Sequence, residues 1–531
     1  MWLALILVAV TSCLIYYFAR FPKKVWKKYG VYQVKPPGYK DMLSVIVGTK
    51  SMMDTDSVMY KQLEEDGQKY GGFMDMSVPA LIVRDLDIMK KIMIKDFDHF
   101  VDRRPFFSSK HEPILQKTLV SLLGDEWKGV RTAVSPTFTT GKIRRMMELF
   151  NRVSNEWVKH FNEEIKKSSS KDSVEINAQK ETIHLTVENI ASTVFGMEAG
   201  AIHDPNSAFA KNAHKISELS IFKIIKFSIA FQFPWLVDFL GFEIIDRKGL
   251  NFFEQIMSQG LKARMSGEVK RNDFLQLLAE ARKGELKAEG GDELNTFEKE
   301  ALLNNDASVT KKNYLQDDDI AHAQLIGFFF AGFSTTANII AVAAYALAVH
   351  QDIQDKLRKE VDSKLFKDGK DQTEVDYDEL NKLVYLDMFL SEVLRKWPPL
   401  GRLERKCVKE YHDPESGLRV PKDALIIIPL SSIHDDPKFY EHPDKFYPEH
   451  FTAERKAERN PYAYLPFGTG PRNCIGMRFA LVQTKSAIAH LVHNFRIETS
   501  SKTPIPILAK KVGFGIQVPE NLQLKLSSIQ K

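Results

Sequence analysis

The sequence predicts a mainly α-helical protein with a minor β-sheet region, attached to a membrane by a single N-terminal anchor. Short β-branched runs such as ALIVRDL at residues 80–86 predict strands in the first part of the chain. Helical periodicity dominates the rest, and an uncharged apolar stretch opens the sequence. The 531 residues, 44% of them hydrophobic, are enough to bury a large core. We therefore expect one large domain behind the anchor.

The opening stretch has the features of a membrane-spanning helix. Residues 1–19 carry no charge, and a bilayer crossing needs about 20 apolar residues. Basic residues follow directly, at Arg20, Lys23, Lys24, Lys27 and Lys28. Because basic flanks stay in the cytosol, we expect the rest of the chain there. A cleaved secretory signal is the alternative, although three cysteines are too few for the disulfide framework of a secreted protein.

These features divide the chain into three parts. We assign residues 1–20 to the anchor, 21–38 to a basic, proline-containing linker, and 39–531 to a single catalytic domain. Residues 266–319 are charged, and only DFLQLLAEA at 273–281 predicts a helix there. A net charge of +5 is too small for this length to indicate a nucleic-acid partner.

Two further apolar segments allow more than one interpretation. Residues 221–245 are interrupted by Lys223, Lys226 and Pro234, so they either lie on a membrane surface or pack in the core. Residues 325–349 carry no charge and are long enough for a second membrane span. Their middle, AGFSTTAN, instead favours a long helix that crosses a buried ligand site, where small residues let a ligand approach the backbone.

A glycine-rich loop with a single cysteine precedes an apolar helical stretch near the C-terminus. Residues 467–476 read FGTGPRNCIG, which follows the pattern F-x-x-G-x-R-x-C-x-G. A cysteine at this position lies near a helix N-terminus, where backbone N–H groups favour the thiolate. An isolated cysteine before a helix is more often a small buried hydrophobe. Here five positions match one pattern, which favours a chemical role for the cysteine.

This decapeptide resembles the haem-binding signature of the cytochrome P450 superfamily. FVDRRPF, SPTFTTGKI, RLERKC and GPRNCIGMRFAL are similar to the animal microsomal family 3 and its invertebrate relatives. The resemblance implies the α-rich cytochrome P450 fold, haem b, and Cys474 as the iron ligand, with Phe467, Arg472 and Gly476 completing the cofactor loop. It also implies attachment to the endoplasmic reticulum membrane, with the catalytic domain on the cytosolic face.

The implied activity is a haem-thiolate monooxygenase acting on a lipophilic small molecule, such as a xenobiotic, a steroid or a fatty-acid-like compound. Electrons would come from NADPH through a reductase, and cytochrome b5 is a further possible partner. A basic cluster of Lys128, Lys142, Arg144 and Arg145 suits an acidic reductase. A solvated surface explains those charges equally well.

Several arginines match family positions that neutralise the haem propionates. Trp127 and Arg131 are spaced i, i+4, so they share one helix face, where an isolated pair would be read as a cation–π contact. The resemblance instead implies that both reach a propionate, together with Arg103, Arg405 and Arg472. Arginine suits this role because its planar fork binds carboxylates bidentately.

Glu392 and Arg395 are three residues apart and share a helix face. Alone they predict a surface ion pair, but the resemblance implies a buried pair that locks the core. Its partner would be His450, at a position where family members commonly have arginine.

The middle of the uncharged helix departs from the family pattern. Relatives usually show A/G-G-x-D/E-T-T, where the threonine and the acid organise water for proton delivery. This chain has Ala331, Gly332 and Phe333 followed by Ser334, Thr335 and Thr336, so the acid is missing. Thr335 and Ser334 are the predicted catalytic residues. Ala331 is expected against the cofactor and, with Phe330, in the substrate pocket, to which residues 106–123 and 221–245 also contribute.

Because the acid is missing, the sequence leaves three functions open. The first is a monooxygenase with an altered proton relay, in which a water held by Ser334 replaces the acid. The second is an isomerase or dehydratase that rearranges an oxygenated lipid without a reductase. The third is a haem-binding protein without catalytic activity.

Overall fold

The computed structural model describes residues 22–36, 38–46, 49–75, 78–104, 111–217, 221–232, 234–241, 243–271, 273–286, 313–366, 374–507, 510–512 and 515–529. The predicted anchor at 1–20 lies outside the described residues, as does part of the predicted pocket segment at 105–110.

Helices make up most of the described chain, which confirms the mainly α prediction. In the first half they are α1 Pro22–Lys28, α2 Tyr39–Ile46, α3 Met52–Glu65, α4 Leu86–Lys90, α5 Pro113–Gln116, α6 Gly124–Val134, α7 Thr140–Arg145, α8 Met147–Lys167, α9 Ala178–Ile190, α10 Ala208–Ser217, α11 Ile221–Gln232 and α12 Pro234–Leu240. In the second half they are α13 Arg247–Ser266, α14 Phe274–Lys283, α15 Asp318–Val349, α16 Gln351–Lys364, α17 Tyr377–Asn381, α18 Val384–Lys396, α19 Leu430–His434, α20 Ala453–Glu458 and α21 Met477–Asn494.

Strands form small sheets beside the helices. They are β1 Tyr70–Asp75, β2 Val78–Val83, β3 Ser173–Asn177, β4 Leu403–Lys406, β5 Tyr411–His412, β6 Arg419–Val420, β7 Leu425–Ile428, β8 Phe495–Thr499, β9 Lys510–Val512, β10 Gly515–Gln517 and β11 Gln523–Ser528. The four-stranded sheet has the order β1-β2-β7-β4, with β2 and β7 parallel and the other pairs antiparallel. Its β2 contains the ALIV run, so the strand predicted there is confirmed.

The long helix α15 forms the centre of the largest hydrophobic cluster. It packs against α9, α13, α18 and α21, and Ile339 to Ala348 are all buried. Within the described part of the chain it is the one helix long and apolar enough to cross a membrane. Most of its residues are buried by other parts of the domain, as expected for a core helix.

The charged segment between α13 and α15 contains the short helix that the sequence predicts. The side chain of Asp273 accepts a hydrogen bond from the Gln276 backbone N–H at 2.9 Å and caps the start of α14. Gly284 ends the helix in the left-handed conformation, at φ 75°. The prediction at 273–281 is therefore confirmed, and the segment 287–312 that follows lies outside the described residues.

Candidate functional site

The cysteine loop is fixed by its own backbone and by one obligatory glycine. The Cys474 N–H donates to the Phe467 carbonyl at 2.8 Å, which closes the loop just before α21. Gly470 has φ 71°, and a Cβ there would lie 2.0 Å from the Met93 carbonyl oxygen. Only glycine satisfies both conditions. Gly476 follows as the residue that flanks the first turn of α21.

The Cys474 side chain is exposed on this loop, although protein atoms surround it. Burial raises the pKa of the Cys474 thiol, and the Gly476 N–H, Arg131 and Arg103 lower it by less. The local amide and the arginines act in the direction that the sequence predicts, but burial outweighs them.

Four arginines from distant parts of the sequence converge on this loop. Arg131 of α6 donates to the Asn473 carbonyl at 3.2 Å and to its side-chain oxygen at 2.7 Å. Arg103 donates to the Arg472 carbonyl, and Arg472 donates to the Leu122 carbonyl at 2.5 Å. The guanidinium of Arg472 lies 4.3 Å from the ring centre of Trp127, which is buried in α6. Arg405 of β4 completes the group.

The four charges of this arginine cluster (Arg103, Arg131, Arg405 and Arg472) are only partly balanced within the described chain, where the Asp102 carboxylate lies 3.9 Å from Arg472. Burial, followed by the neighbouring arginines, lowers the pKa of Arg405 and of Arg472 well below the ordinary value. Burial also lowers the pKa of Arg103 and of Arg131 to about 10. Among the described residues, Arg405 Nε and Nη2, Arg103 Nε and Arg472 Nε are buried without a hydrogen-bond acceptor. Such an arrangement suits an anionic ligand.

Glu392 and Arg395 form a buried ion pair on α18, and both side chains have zero exposed area. Arg395 Nε and Nη2 donate to the two carboxylate oxygens of Glu392 at 2.8 and 2.7 Å. His450, in the 3₁₀ turn Pro448–Phe451, places Nδ1 3.2 Å from Glu392 and Nε2 2.6 Å from the Glu441 carbonyl. Both ring nitrogens therefore face acceptors, as the nitrogens of an arginine would.

The negative charge of Glu392 is stabilised by the side chains in direct contact with it. Burial alone would raise the pKa of Glu392, but hydrogen bonds from Arg395 and His450 outweigh it and lower the pKa. Beside the pair, the Leu465 N–H donates to His434 Nε2 at 3.3 Å, so the ring accepts there and is neutral. Burial and the adjacent Arg395 lower the pKa of His434 to about 3.

One face of α15 is left uncovered by the rest of the described chain. Ala331 and Thr335 are exposed although most residues of this helix are buried, and they lie four residues apart on the same face. The Thr335 hydroxyl donates to the Ala331 carbonyl at 2.6 Å, which leaves its oxygen able to accept. Ser334 and Phe330 are half-buried beside this face.

Three residues of the AGFSTTAN stretch face elsewhere. A Cβ on Gly332 would lie 2.7 Å from Ile190 Cδ1, so this glycine lets α9 approach α15 closely. Thr336 is buried, and the Asn338 side-chain oxygen accepts from Gln179 Nε2 at 2.9 Å. These three residues therefore serve helix packing and do not line the exposed face. Ala331, Ser334 and Thr335 remain on or beside the open face.

The chain matches known proteins over nearly its whole length. The sequence model of the family described as Cytochrome P450 matches residues 37–526. The chain belongs to the cytochrome P450 family. It is 33% identical to cytochrome P450 9e2 of Blattella germanica, over 92% of this chain and 91% of that protein. It is also 33% identical to lithocholate 6-beta-hydroxylase of Mesocricetus auratus, over 94% and 91%.

A third relative, probable cytochrome P450 6a14 of Drosophila melanogaster, is 32% identical over 95% of each chain. The predicted resemblance is thus confirmed, and the chain is a cytochrome P450 monooxygenase. Its family implies a haem cofactor, and the residues present fit one. Haem carries two propionate carboxylates, and the arginine cluster offers buried donors beside an exposed thiol.

Two residues of this cytochrome P450 site were missed from the sequence. Asn473 binds Arg131 through both its backbone and its side-chain oxygen. The Asp102 carboxylate lies 3.9 Å from Arg472 and accepts a hydrogen bond from the Gly124 N–H at 2.7 Å, where α6 begins. Each occupies a position next to a predicted arginine. A polar residue directly beside a motif arginine is the sequence signal that could have identified both.

Proposed function

We propose that this cytochrome P450 is a microsomal monooxygenase of lipophilic small molecules, with Cys474 as the haem ligand. The observation that carries the proposal is the unbalanced arginine cluster around the loop of an exposed thiol. When bound, haem supplies the oxygen-activating chemistry, and a thiolate ligand favours O–O cleavage.

In this proposal Arg103, Arg405 and Arg472 bind the propionates through their buried N–H donors. Trp127 fixes Arg472 by stacking at 4.3 Å, and Asn473 orients Arg131. Phe467 and Gly476 set the position of the Cys474 sulfur through the loop hydrogen bond and the adjoining backbone N–H. The buried Glu392–Arg395–His450 group acts at a distance, because it fixes α18 to the segment that precedes the cysteine loop.

Protons would reach the cavity along the open face of α15. Because the Thr335 hydroxyl proton is used by the Ala331 carbonyl, Thr335 Oγ1 acts as an acceptor for a water molecule. Ser334 supplies a second hydroxyl one residue earlier, where relatives carry an acid. A serine hydroxyl holds and passes on a proton through water but does not supply one, so we expect incomplete coupling.

The substrate class follows from apolar residues beside that face. Phe330 and Ala331 are proposed to line the pocket, and an apolar pocket favours lipophilic molecules. One relative is named as a hydroxylase of lithocholate, which makes a steroid-like substrate a reasonable first choice.

The proposed membrane face lies at α11 and α12. Phe222, Trp235 and Phe239 are exposed by 74%, 66% and 81%, while Val237 of the same segment is buried. A segment with one buried and one exposed apolar face suits the surface of a membrane. Together with the predicted anchor, this supports attachment to the endoplasmic reticulum with the domain in the cytosol. We propose an NADPH-dependent reductase as the electron donor there, with cytochrome b5 as a second donor.

The test is reductase-supported NADPH oxidation with a panel of lipophilic substrates, in which oxygenated product and hydrogen peroxide are both measured. We expect product from the wild type. Thr335→Val, which removes the hydroxyl but keeps the shape, should lower product per NADPH at least about tenfold. Thr336→Val is the matched control, because Thr336 is buried away from the open face.

A different outcome would change the assignment. Rearrangement of an added lipid peroxide without NADPH, in the absence of oxygenated product, would favour the isomerase. Haem binding without any turnover would favour a binding protein.

A further inference from the structure

Glu112 joins two segments that are far apart in the sequence. Its Oε1 accepts hydrogen bonds from the backbone N–H groups of Ile244 and Ile245, both at 2.9 Å. The side chain lies just before α5 and is 2% exposed, and its Oε2 is buried without a hydrogen-bond partner among the described residues. Burying a carboxylate costs free energy unless hydrogen bonds compensate for the lost water. Here the compensating donors are the two backbone N–H groups of Ile244 and Ile245.

The segment that follows Glu112 is fixed to α15. Gln324 Nε2 donates to the Lys117 carbonyl, and Gln324 Oε1 accepts from the Leu119 N–H, both at 2.8 Å. One turn later, a Cβ on Gly327 would lie 3.2 Å from Thr118. Gly327 precedes Ala331 and Thr335 at four-residue spacing, so the segment covers the same face of α15.

The other end of the connection leads into α13. Ile244 and Ile245 immediately precede Asp246, whose side chain caps α13 by accepting from the Gly249 N–H at 2.7 Å. The exposed Phe239 and Leu240 of α12 lie a few residues earlier. Glu112 therefore holds the connection between α12 and α13 against the segment that packs on α15 one turn before the open face.

We propose that Glu112 is a positioning residue that closes the wall of the substrate cavity. It does so by holding residues 244–245 against residue 112 at the start of α5, which limits how fast bulky lipophilic molecules reach and leave the Ala331–Thr335 face. This role rests on the proposed function, because it assumes that the open face binds substrate. Loss of the carboxylate leaves two backbone N–H groups without their acceptor, so the two segments separate more often.

The first test measures the connection itself by hydrogen–deuterium exchange. In Glu112→Ala, exchange at the amides of Ile244 and Ile245 should rise at least about tenfold. Glu112→Gln keeps an acceptor oxygen and the side-chain size, so it should show a smaller rise. Glu188→Ala is the matched control, since buried Glu188 accepts from the Ala199 and Ala201 N–H groups at 2.8 Å. It should leave exchange at 244–245 unchanged.

The second test measures ligand kinetics by stopped-flow absorbance, with a bulky azole and with imidazole. Glu112→Ala should release the azole about tenfold faster and leave imidazole release unchanged, because imidazole is too small to need the wall to open. Glu188→Ala should change neither rate. Equal azole rates in wild type and Glu112→Ala, or an equal change in Glu188→Ala, would overturn the role of Glu112.

The reduced, carbon monoxide-bound spectrum separates this failure from a failure of the proposed function. A wild-type protein without a thiolate-type band would overturn the haem assignment and the substrate role with it. A normal band with unchanged azole kinetics would overturn the role of Glu112 alone.

Discussion

Two groups of buried arginines differ in what balances their charge. Arg395 is saturated by the protein: Glu392 takes two of its hydrogen bonds, and the carbonyls of His434, Pro443 and Lys445 take others at 2.9 to 3.0 Å. Arg405 is equally buried, yet the Glu404 carbonyl is its one acceptor among the described residues. A second and a third arginine, Arg103 and Arg472, stand beside it and repel it.

The difference separates a structural arginine from a ligand-binding one. A buried charge without a counter-charge is destabilising, so a fold retains it only where a partner from outside supplies the balance. The saturated arginine stabilises the protein by itself. We propose that the arginine cluster instead stabilises a complex, which is the relation expected between this chain and a dicarboxylate cofactor.

The largest effect is expected where the saturated pair is broken. Glu392→Gln removes one buried charge and leaves Arg395 uncompensated, which should lower the free energy of unfolding by about 3–5 kcal/mol. The measurement is thermal unfolding, or the yield of soluble protein if the variant does not fold. The control is Glu379→Gln in α17, which breaks an ion pair of the same i, i+3 spacing with Lys382 at 2.8 Å on an exposed surface. Equal losses in both variants would show that burial of the Glu392 pair has no importance.

The second expected effect, on the stability of the haem-free protein, has opposite signs in the arginine cluster and at the saturated Arg395. Arg405→Met removes a buried, unbalanced charge, so the protein prepared without haem should become more stable. Its haem affinity should fall about tenfold or more, since a charge-assisted hydrogen bond contributes about 1.5–3 kcal/mol. Arg395→Met should destabilise the protein in both forms. Thermal unfolding with and without haem, together with haem titration, checks the pattern. A loss of stability of the haem-free protein on Arg405→Met would contradict it.

The smallest expected effect is on the pH dependence of stability. It concerns a third buried group, which contains more carboxylates than arginines. Asp56 lies 3.3 Å from Arg402, which also contacts Glu404 at 2.7 Å and Asp75 at 3.7 Å. Burial, and then Glu404 and Asp75, outweigh Arg402 and raise the pKa of Asp56 from 3.8 to about 7. The folded protein therefore holds a proton that the unfolded chain releases near pH 3.8.

Because the folded state binds the extra proton, its contribution to stability is full below about pH 3.8 and is lost progressively as the pH rises to about 7. Between about pH 6 and pH 8 the loss should be about 1 kcal/mol. Asp56→Asn should flatten this slope in thermal unfolding. Asp41→Asn is the comparison variant, because Asp41 is partly exposed outside this group and a hydrogen bond from Lys50 lowers its pKa, so the slope should stay unchanged. An unchanged slope in Asp56→Asn would show that another group titrates.

Local motifs made much of this site predictable. The loop around Cys474, the spacing of Trp127 and Arg131 on α6, and the Glu392–Arg395 pair each lie within one short segment, where residue spacing fixes geometry. The family resemblance then assigned roles that spacing alone left open.

Long-range pairing was not predictable from the sequence. Asp102 pairs with Lys406 in an isolated antiparallel bridge, which brings Arg103 and Arg405 together and sets Arg104 beside Glu404. Adjacent residues of an extended segment face opposite sides, so one arginine joins the cluster and its neighbour joins the carboxylates. No local pattern shows which of the two does so. The same holds for Gly332, whose role depends on how closely Ile190 of another helix approaches.

The central claim is that Cys474 is the thiolate ligand of a haem held by the arginine cluster. The direct measurement is the absorption spectrum of the reduced, carbon monoxide-bound protein, recorded for the wild type, Cys474→Ser and Cys407→Ser. Cys407 is the matched control, since it is buried and its sulfur lies 3.0 Å from the Lys409 carbonyl. We predict a thiolate-type band in the wild type and in Cys407→Ser, and its complete loss in Cys474→Ser. A thiolate-type band that survives in Cys474→Ser would contradict the claim.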